Sequence, residues 1–342
     1  MSSSTWRTFG IDLGTVTVAL ETDHVDLVRY LREFYQVTGG GPAEYPAAWT
    51  IRARSRTPEP DMALTPWKVG YRADPAGRVL TIHSTNERDL AITTRKAIRE
   101  LLLDYCEARR YTMLHASAVA DDNRVILVIG DKGSGKTTLA LNAALTRGYQ
   151  YLSNDHLILY RGTDGLVITS LPTPIPIKIG TYLDYEDRLG EPWENEGVDI
   201  DAFRKMPRLA RYGRDRRLLF TFARLGQPNP VHTALGQRDV TVVLAGYGPN
   251  GDVSVPAHVG DPAAALWPHV RFDWVFDPDL NTRYLPRRER SRDDYAHDSR
   301  GLLTDLAACS RIVQWRHRGQ LGPLLDWLAD ESDSGVTAWT RS

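Results

Sequence analysis

The spacing of apolar residues changes character near residue 110, and that change organises the chain. Before it, short alternating runs predict strands at Phe9–Ile11, Val16–Leu20, Trp67–Tyr71 and Val79–His83. Asp23 is placed to cap a helix whose apolar face is Leu27, Val28, Leu31, Phe34 and Tyr35. Gly39–Pro46 and Arg54–Pro66 are rich in Gly, Pro and polar residues and read as loops. A long helix from about Asn86 to Arg109 turns Leu90, Ala97, Ile98, Leu101 and Leu102 to one side. Residues 1–110 therefore read as an α+β domain, and no internal repeat is evident.

After residue 110 the runs lengthen. His115–Val119 and Arg124–Ile129 read as strands joined by the polar turn Asp121-Asp-Asn, a hairpin signal. A glycine-rich loop follows, then a helix from Lys136 to Arg147 that Gly148 is suited to end. Tyr149–Tyr160 reads as a pair of strands interrupted at Ser153-Asn-Asp155, with more strands at Val167–Leu171, Pro176–Ile179 and Val240–Ala245. Residues 184–236 are polar and Arg-rich. Helices at Arg300–Cys309 and Leu321–Ala329 flank a strand at Arg311–Trp315. The expected plan is an α/β chain: an α+β region over 1–110, a second α/β domain over 111–330, and a frayed tail over 331–342.

Composition narrows the class. Lys and Arg total 42 against 43 Asp and Glu, so no overall field draws the chain to nucleic acid or an anionic membrane. Cys106 and Cys309 cannot make a disulfide framework and have no zinc-like spacing; they read as two buried thiols in a reducing compartment. The start carries no secretory pattern, and the most apolar stretch, Val125–Ile129, is far shorter than a membrane span. A cytoplasmic location is the expectation.

Gly130-Asp131-Lys132-Gly133-Ser134-Gly135-Lys136-Thr137 matches G-x-x-x-x-G-K-[ST] at every fixed position, between an apolar strand and a helix-forming run that begins Thr138-Leu139-Ala. Glycines let successive backbone N–H groups turn inward around a phosphate, and the helix N-terminus adds positive potential. Lys136 is suited to reach the β- and γ-phosphates of ATP, and Thr137 to ligate Mg²⁺. The competing reading is a chance glycine-rich turn. The best candidate for a strand ending in a metal-binding Asp, Val240–Leu244, runs instead into Ala245-Gly-Tyr. Asp155, 19 residues after Lys136, is the nearest alternative. On a strand paired beside the loop strand it would serve as base or Mg²⁺ ligand; otherwise Asn154-Asp155 is an Asx turn.

These segments in order resemble the kinase domain of the HPr serine kinase/phosphorylases and their HPr-kinase-like relatives. The likeness covers about 45 residues: Leu114–Val119, Val125–Thr138, Leu139–Gly148 and Tyr149–Asp155. It implies a nucleotide-binding core similar to that of PEP carboxykinase, with ATP and Mg²⁺ as cofactors. It also implies catalytic roles for His115, Lys136, Asp155 and the position of Asn154. The family carries two acids where this chain has Asn154-Asp155, and an amide cannot take up a proton at neutral pH. Phosphorolysis is therefore not expected. The family's second signature is absent downstream, so HPr itself is not the expected acceptor.

The leading expectation is a kinase acting on the hydroxyl of a peptide or protein Ser/Thr or of a small metabolite. Asp155 is then base or metal ligand, and His115 and Asn154 orient the acceptor. The alternative is a nucleotide-sensing module without transfer, which Asn154 favours. Assembly into a homo-oligomer is compatible with either. Two arginine-rich stretches, Arg204–Arg217 and Arg283–Arg292, read as solvated faces or as sites for acidic substrate groups. Lys178 reads as a surface lysine or an active-site cation.

Overall fold

The computed structural model describes residues 7–14, 16–39, 48–212, 214–226, 231–248, 254–277, 280, 283–286, 290–318 and 321–333, the side chains of 328, 329 and 331–333 excepted. The architecture is mixed α/β with several mixed sheets.

The first sheet holds seven strands: β1 (Arg7–Asp12), β2 (Thr17–Thr22), β3 (Gln36–Gly39), β4 (Trp49–Ser55), β5 (Ala63–Leu64), β6 (Gly70–Asp74) and β7 (Val79–Ser84), in the order β3-β1-β2-β4-β7-β6-β5. Helix α1 (Val25–Leu31) is capped by His24, whose Nδ1 accepts from the Leu27 N–H, and not by Asp23. The strand expected at Trp67–Tyr71 begins only at Gly70. Before it, the Val69 N–H bonds to Thr65 Oγ1 in a turn where Lys68 has positive φ. Strands β4 and β5 occupy part of the expected loop Arg54–Pro66, and residues 40–47 of the other loop lie outside the described residues. Helix α2 (Glu87–Glu107) starts at Asn86, which accepts from the Asp89 N–H, and all five residues of its expected apolar face are buried. The core beneath it also takes in Tyr111, Met113, Ile158 and Tyr160 from later in the chain.

Two sheets lie beyond α2. The six-stranded one contains β9 (Ala116–Ala120), β10 (Arg124–Ile129), β11 (Gln150–Ser153), β17 (Asp239–Tyr247), β18 (Ala257–His258) and β19 (Arg311–His317), in the order β11-β9-β10-β17-β19-β18. The four-stranded one contains β8 (Thr112–Leu114), β12 (Leu157–Gly162), β13 (Gly165–Ser170) and β16 (Thr233–Ala234). A ribbon pairs β14 (Ile175–Lys178) with β15 (Arg217–Phe220). Strand β10 is buried on both faces, as a strand with a parallel neighbour must be: Ile126 and Val128 join one core, Val125, Leu127 and Ile129 another. Helix α3 (Lys136–Arg147) packs on β9, β10 and β11 and ends at Gly148, φ 77°.

Strands β11 and β12, expected as a pair, separate into different sheets, and β9 and β8 separate with them. Because β8 pairs with β12 and β9 with β11, the chain crosses between the sheets twice at one place, at residue 115 and at residues 154–156. His115 is thus a junction residue and not part of a strand. Strand β11 does not pair with β10, since β9 lies between them. It runs parallel to β10 all the same, and its end reaches the same sheet edge. The last helix, Gly322–Asp333, continues past its expected end at Ala329, and 334–342 lie outside the described residues. Cys106 is buried, but Cys309 is exposed. Among the described residues no helix is long and apolar enough to cross a membrane.

Candidate active site

The loop 130–137 joins β10 to α3 with backbone that side chains would obstruct. Gly130 has φ 156°, and a Cβ there would lie 2.6 Å from the Ala245 carbonyl. Gly135 has φ 87°, and a Cβ would lie 2.5 Å from Cε1 of His317. His317 ends β19 and supports the loop from behind, its Nε2 hydrogen-bonded to the Ser134 carbonyl at 2.8 Å. Burial pushes the His317 imidazole down to about 4, so it is neutral at pH 7. Gly135 is the N-cap of α3 and offers no side chain to its free N–H groups, which leaves them to an external anion. Lys136 is buried, and its ammonium donates to the carbonyls of Gly130 at 2.8 Å and Asp131 at 3.1 Å. Burial lowers its pKa, opposed by the charges of Asp155 and Asp131.

A cavity of about 360 Å³ opens in front of the loop. Lys132, Gly133, Gly135, Lys136, Thr137 and Thr138 line it on one side; His115, Asn154, Asp155 and Arg271 contribute to the rest. Gly130, Asp131 and Ser134 shape the loop without lining the cavity. Thr138 Oγ1 shares a 3.0 Å hydrogen bond with Thr181 Oγ1.

Asn154 is held by three contacts. Its Oδ1 accepts from Thr137 Oγ1 at 3.0 Å and from the buried Tyr151 hydroxyl at 2.8 Å, and its carbonyl accepts from Ser117 Oγ. With Oδ1 engaged twice, the amide orientation is set, and the Thr137 lone pairs are left for another ligand. Strand β17 brings the Ala245 carbonyl and Tyr247 to the loop, with no carboxylate at its end.

His115 reaches Asp155 and not Asn154: Nε2 lies 3.1 Å from Asp155 Oδ1. The His115 backbone is tied in turn by its N–H to the His269 carbonyl, 2.8 Å, beside a bridge between Leu114 and Val270. Burial raises the Asp155 pKa, but the His115 hydrogen bond and the charges of His115, His156 and Lys136 outweigh it. The carboxyl is held below its usual range and stays ionised at neutral pH. A histidine–carboxylate pair is therefore complete without an acid at 154.

Sequence reasoning missed Arg271, His156 and His317. Arg271 lines the cavity, pinned by a two-pronged pair to Asp273 at 2.8 and 2.9 Å. The His156 ring sits 4.1 Å from Trp274, centroid to centroid. Neither position carries a local motif. His317 had one available signal, its place at the end of a β-strand that returns to the same edge as the loop.

The arginine-rich stretches divide. Arg204 pairs with Glu186 and Asp201, and Arg208 with Asp184, which occupies them within the protein; Arg217 pairs with Asp215 at 3.0 Å and lines the cavity. Arg290, only 9% exposed, is a buried structural cation clasped by Glu107, Asp298 and the Tyr111 carbonyl; Arg287 and Arg288 lie outside the described residues. Lys178 lines the cavity too.

Oxygen donors at the cavity suit a hard cation. Thr137 Oγ1 and the Asp155 carboxylate are of the kind Mg²⁺ takes when phosphates and waters complete its shell. Among the described residues no group of three or more His, Cys, Asp or Glu is placed to hold a metal. No protein-family model matches this chain, and no curated protein matches it.

Proposed function

We propose that the chain is an ATP-dependent phosphotransferase with an HPr-kinase-like P-loop core, acting on an alcohol. One observation carries the reading: an uncapped helix N-terminus with a buried lysine faces, across one cavity, an ionised carboxylate bonded to a histidine. The first arrangement suits the phosphates of a nucleotide, and the second suits the hydroxyl that attacks them. The order of hairpin, loop, helix and acidic turn supports the same core.

In the reaction the acceptor oxygen bonds to the γ-phosphorus as the bond to the β–γ bridging oxygen breaks. The bridging electron pair leaves with ADP, and the acceptor proton passes to Asp155. Lys136 and the loop N–H groups bind the charge that develops on the transferring group. Asp155 is a weak base, but a loose transition state makes few demands on it. His115 holds the carboxylate in place and keeps it ionised. Thr137 would hold Mg²⁺, which when bound neutralises the phosphate oxygens; Asp155, a candidate second ligand by type, serves here as the base. Asn154 Oδ1 accepts the hydrogen bond of the Thr137 hydroxyl, which leaves the Thr137 lone pairs for the ion.

The test is transfer of label from [γ-³²P]ATP to a panel of alcohols and Ser/Thr peptides, with the Asp155→Asn variant alongside. Labelled product is expected, falling about 10²–10⁴-fold in the variant. Near wild-type turnover in the variant would remove Asp155 from the reaction. ATP binding without transfer to any acceptor would favour the nucleotide-sensing module instead.

A further inference from the structure

The nucleotide does not account for all of the cavity's positive charge. The ribbon β14–β15 buries Ile175, Ile177, Leu218 and Phe220 in the core beside α3 and turns its other face outward. On that outer face Pro176, Lys178 and Arg217 line the cavity. Lys178 and Arg217 are direct cross-strand partners, so two cations stand side by side at the end of the ribbon. Like charges in that position are destabilising unless an anion lies between or above them. Lys132 adds a third cation on the cavity. The carboxylate beside them is Asp215, bonded to Arg217 and exposed. Lys132 and Lys178 have no ion pair among the described residues.

A triphosphate has its own complement elsewhere. Mg²⁺ cancels much of its charge, and Lys136 with the α3 N-terminus meets the remainder. Lys132, Lys178 and Arg217 are in excess of that need, and two of them stand on a separate element from the loop.

We propose that Lys178 and Arg217 form the binding site for an anionic group carried by the acceptor itself. The acceptor is then an alcohol with a carboxylate or a phosphate, and not a neutral one. Arg217 has its Nε–Nη2 edge on Asp215 and offers Nη1 to the anion, and Lys178 adds a point charge. The inference rests on the phosphotransferase reading, because it takes the loop to be occupied by nucleotide.

The experiment is calorimetric titration of the full chain, saturated with Mg²⁺ and the non-hydrolysable ATP analogue AMP-PNP. The probes are D-glycerate, glycerol 3-phosphate and glycerol. One or both anionic probes are expected to bind where glycerol does not, and the tighter of the two identifies carboxylate or phosphate. Lys178→Ala and Arg217→Ala should each weaken that binding about ten- to a hundredfold, the usual loss for a charged hydrogen bond. AMP-PNP affinity should stay within about threefold, as for cations outside the nucleotide's own contacts. Arg204→Ala, in the same arginine-rich stretch but paired with Glu186, should change neither. The proposal is overturned if neither anion binds better than glycerol. It is equally overturned if the two variants lose AMP-PNP as much as they lose the anion, for the pair then belongs to the nucleotide. Failure of the unmutated chain to bind AMP-PNP at all would instead overturn the reading beneath it.

Discussion

The two walls of the cavity are built in opposite ways. The loop wall comes from one continuous segment, residues 132–138, and in the proposed function its backbone N–H groups and Lys136 bind the phosphates. The facing wall is assembled from distant segments, among them His115, the turn 154–155, the ribbon end at Lys178 and Arg217, and Arg271. The first wall depends on backbone shape and has no room for a side chain at Gly130 or Gly135. The second depends on side chains whose positions follow from strand pairing. Changes in the first should abolish binding; changes in the second should alter rate or acceptor and spare the nucleotide.

The largest effect is expected from Gly135→Ala. Its Cβ would collide with His317 at 2.5 Å, in a conformation that alanine adopts only with strain. Backbone strain of this sort costs about 1–3 kcal/mol, and shifting His317 also disturbs the Ser134 carbonyl it holds. Thermal melts should show a lower midpoint, and nucleotide binding should be lost. A variant with unchanged melting and binding would mean that the loop is not the rigid wall described.

The contrast also explains what was legible. Loop, strand β10 and helix α3 are consecutive and carry a spacing that only one local geometry satisfies, so they were readable down to Gly148. Helix α2 was readable from its period. The parting of β11 and β12 was not, because each is a sound apolar strand alone. Which sheet a strand joins depends on partners at residues 112–120 and 165–170, not on its own pattern. That parting is what sets His115 against Asp155, so the pair emerged from topology. Arg271 and Arg290 show the same limit from the other side. Neither arginine carries a local motif, yet one faces the cavity and the other is a buried clasp.

On the facing wall, Asn154 separates packing from chemistry. Asn154→Ala leaves the Thr137 and buried Tyr151 hydroxyls without their acceptor, and one unsatisfied buried group costs about 1–3 kcal/mol. Asn154→Asp can accept both hydrogen bonds and should melt closer to the unmutated chain. Denaturant unfolding of the two variants checks the order; the reverse order would mean that the amide nitrogen matters more than Oδ1.

A smaller, sharper effect concerns pH. The His115 hydrogen bond and charge lower the Asp155 pKa against the upward push of burial. Removing them in His115→Ala should raise that pKa. The base is then protonated at higher pH, and the acid limb of the pH–rate profile moves upward. An acid limb that stays in place would uncouple His115 from Asp155.

The central claim is that the loop wall holds the phosphates of a nucleotide. Calorimetric titration of Mg²⁺ and AMP-PNP into the unmutated chain and the Lys136→Ala variant tests it most directly. Saturable one-site binding is expected in the first, weakened by about 1.5–3 kcal/mol or more in the second, the worth of a charge-assisted hydrogen bond. Equal affinity in the two proteins, or no binding in either, would contradict it.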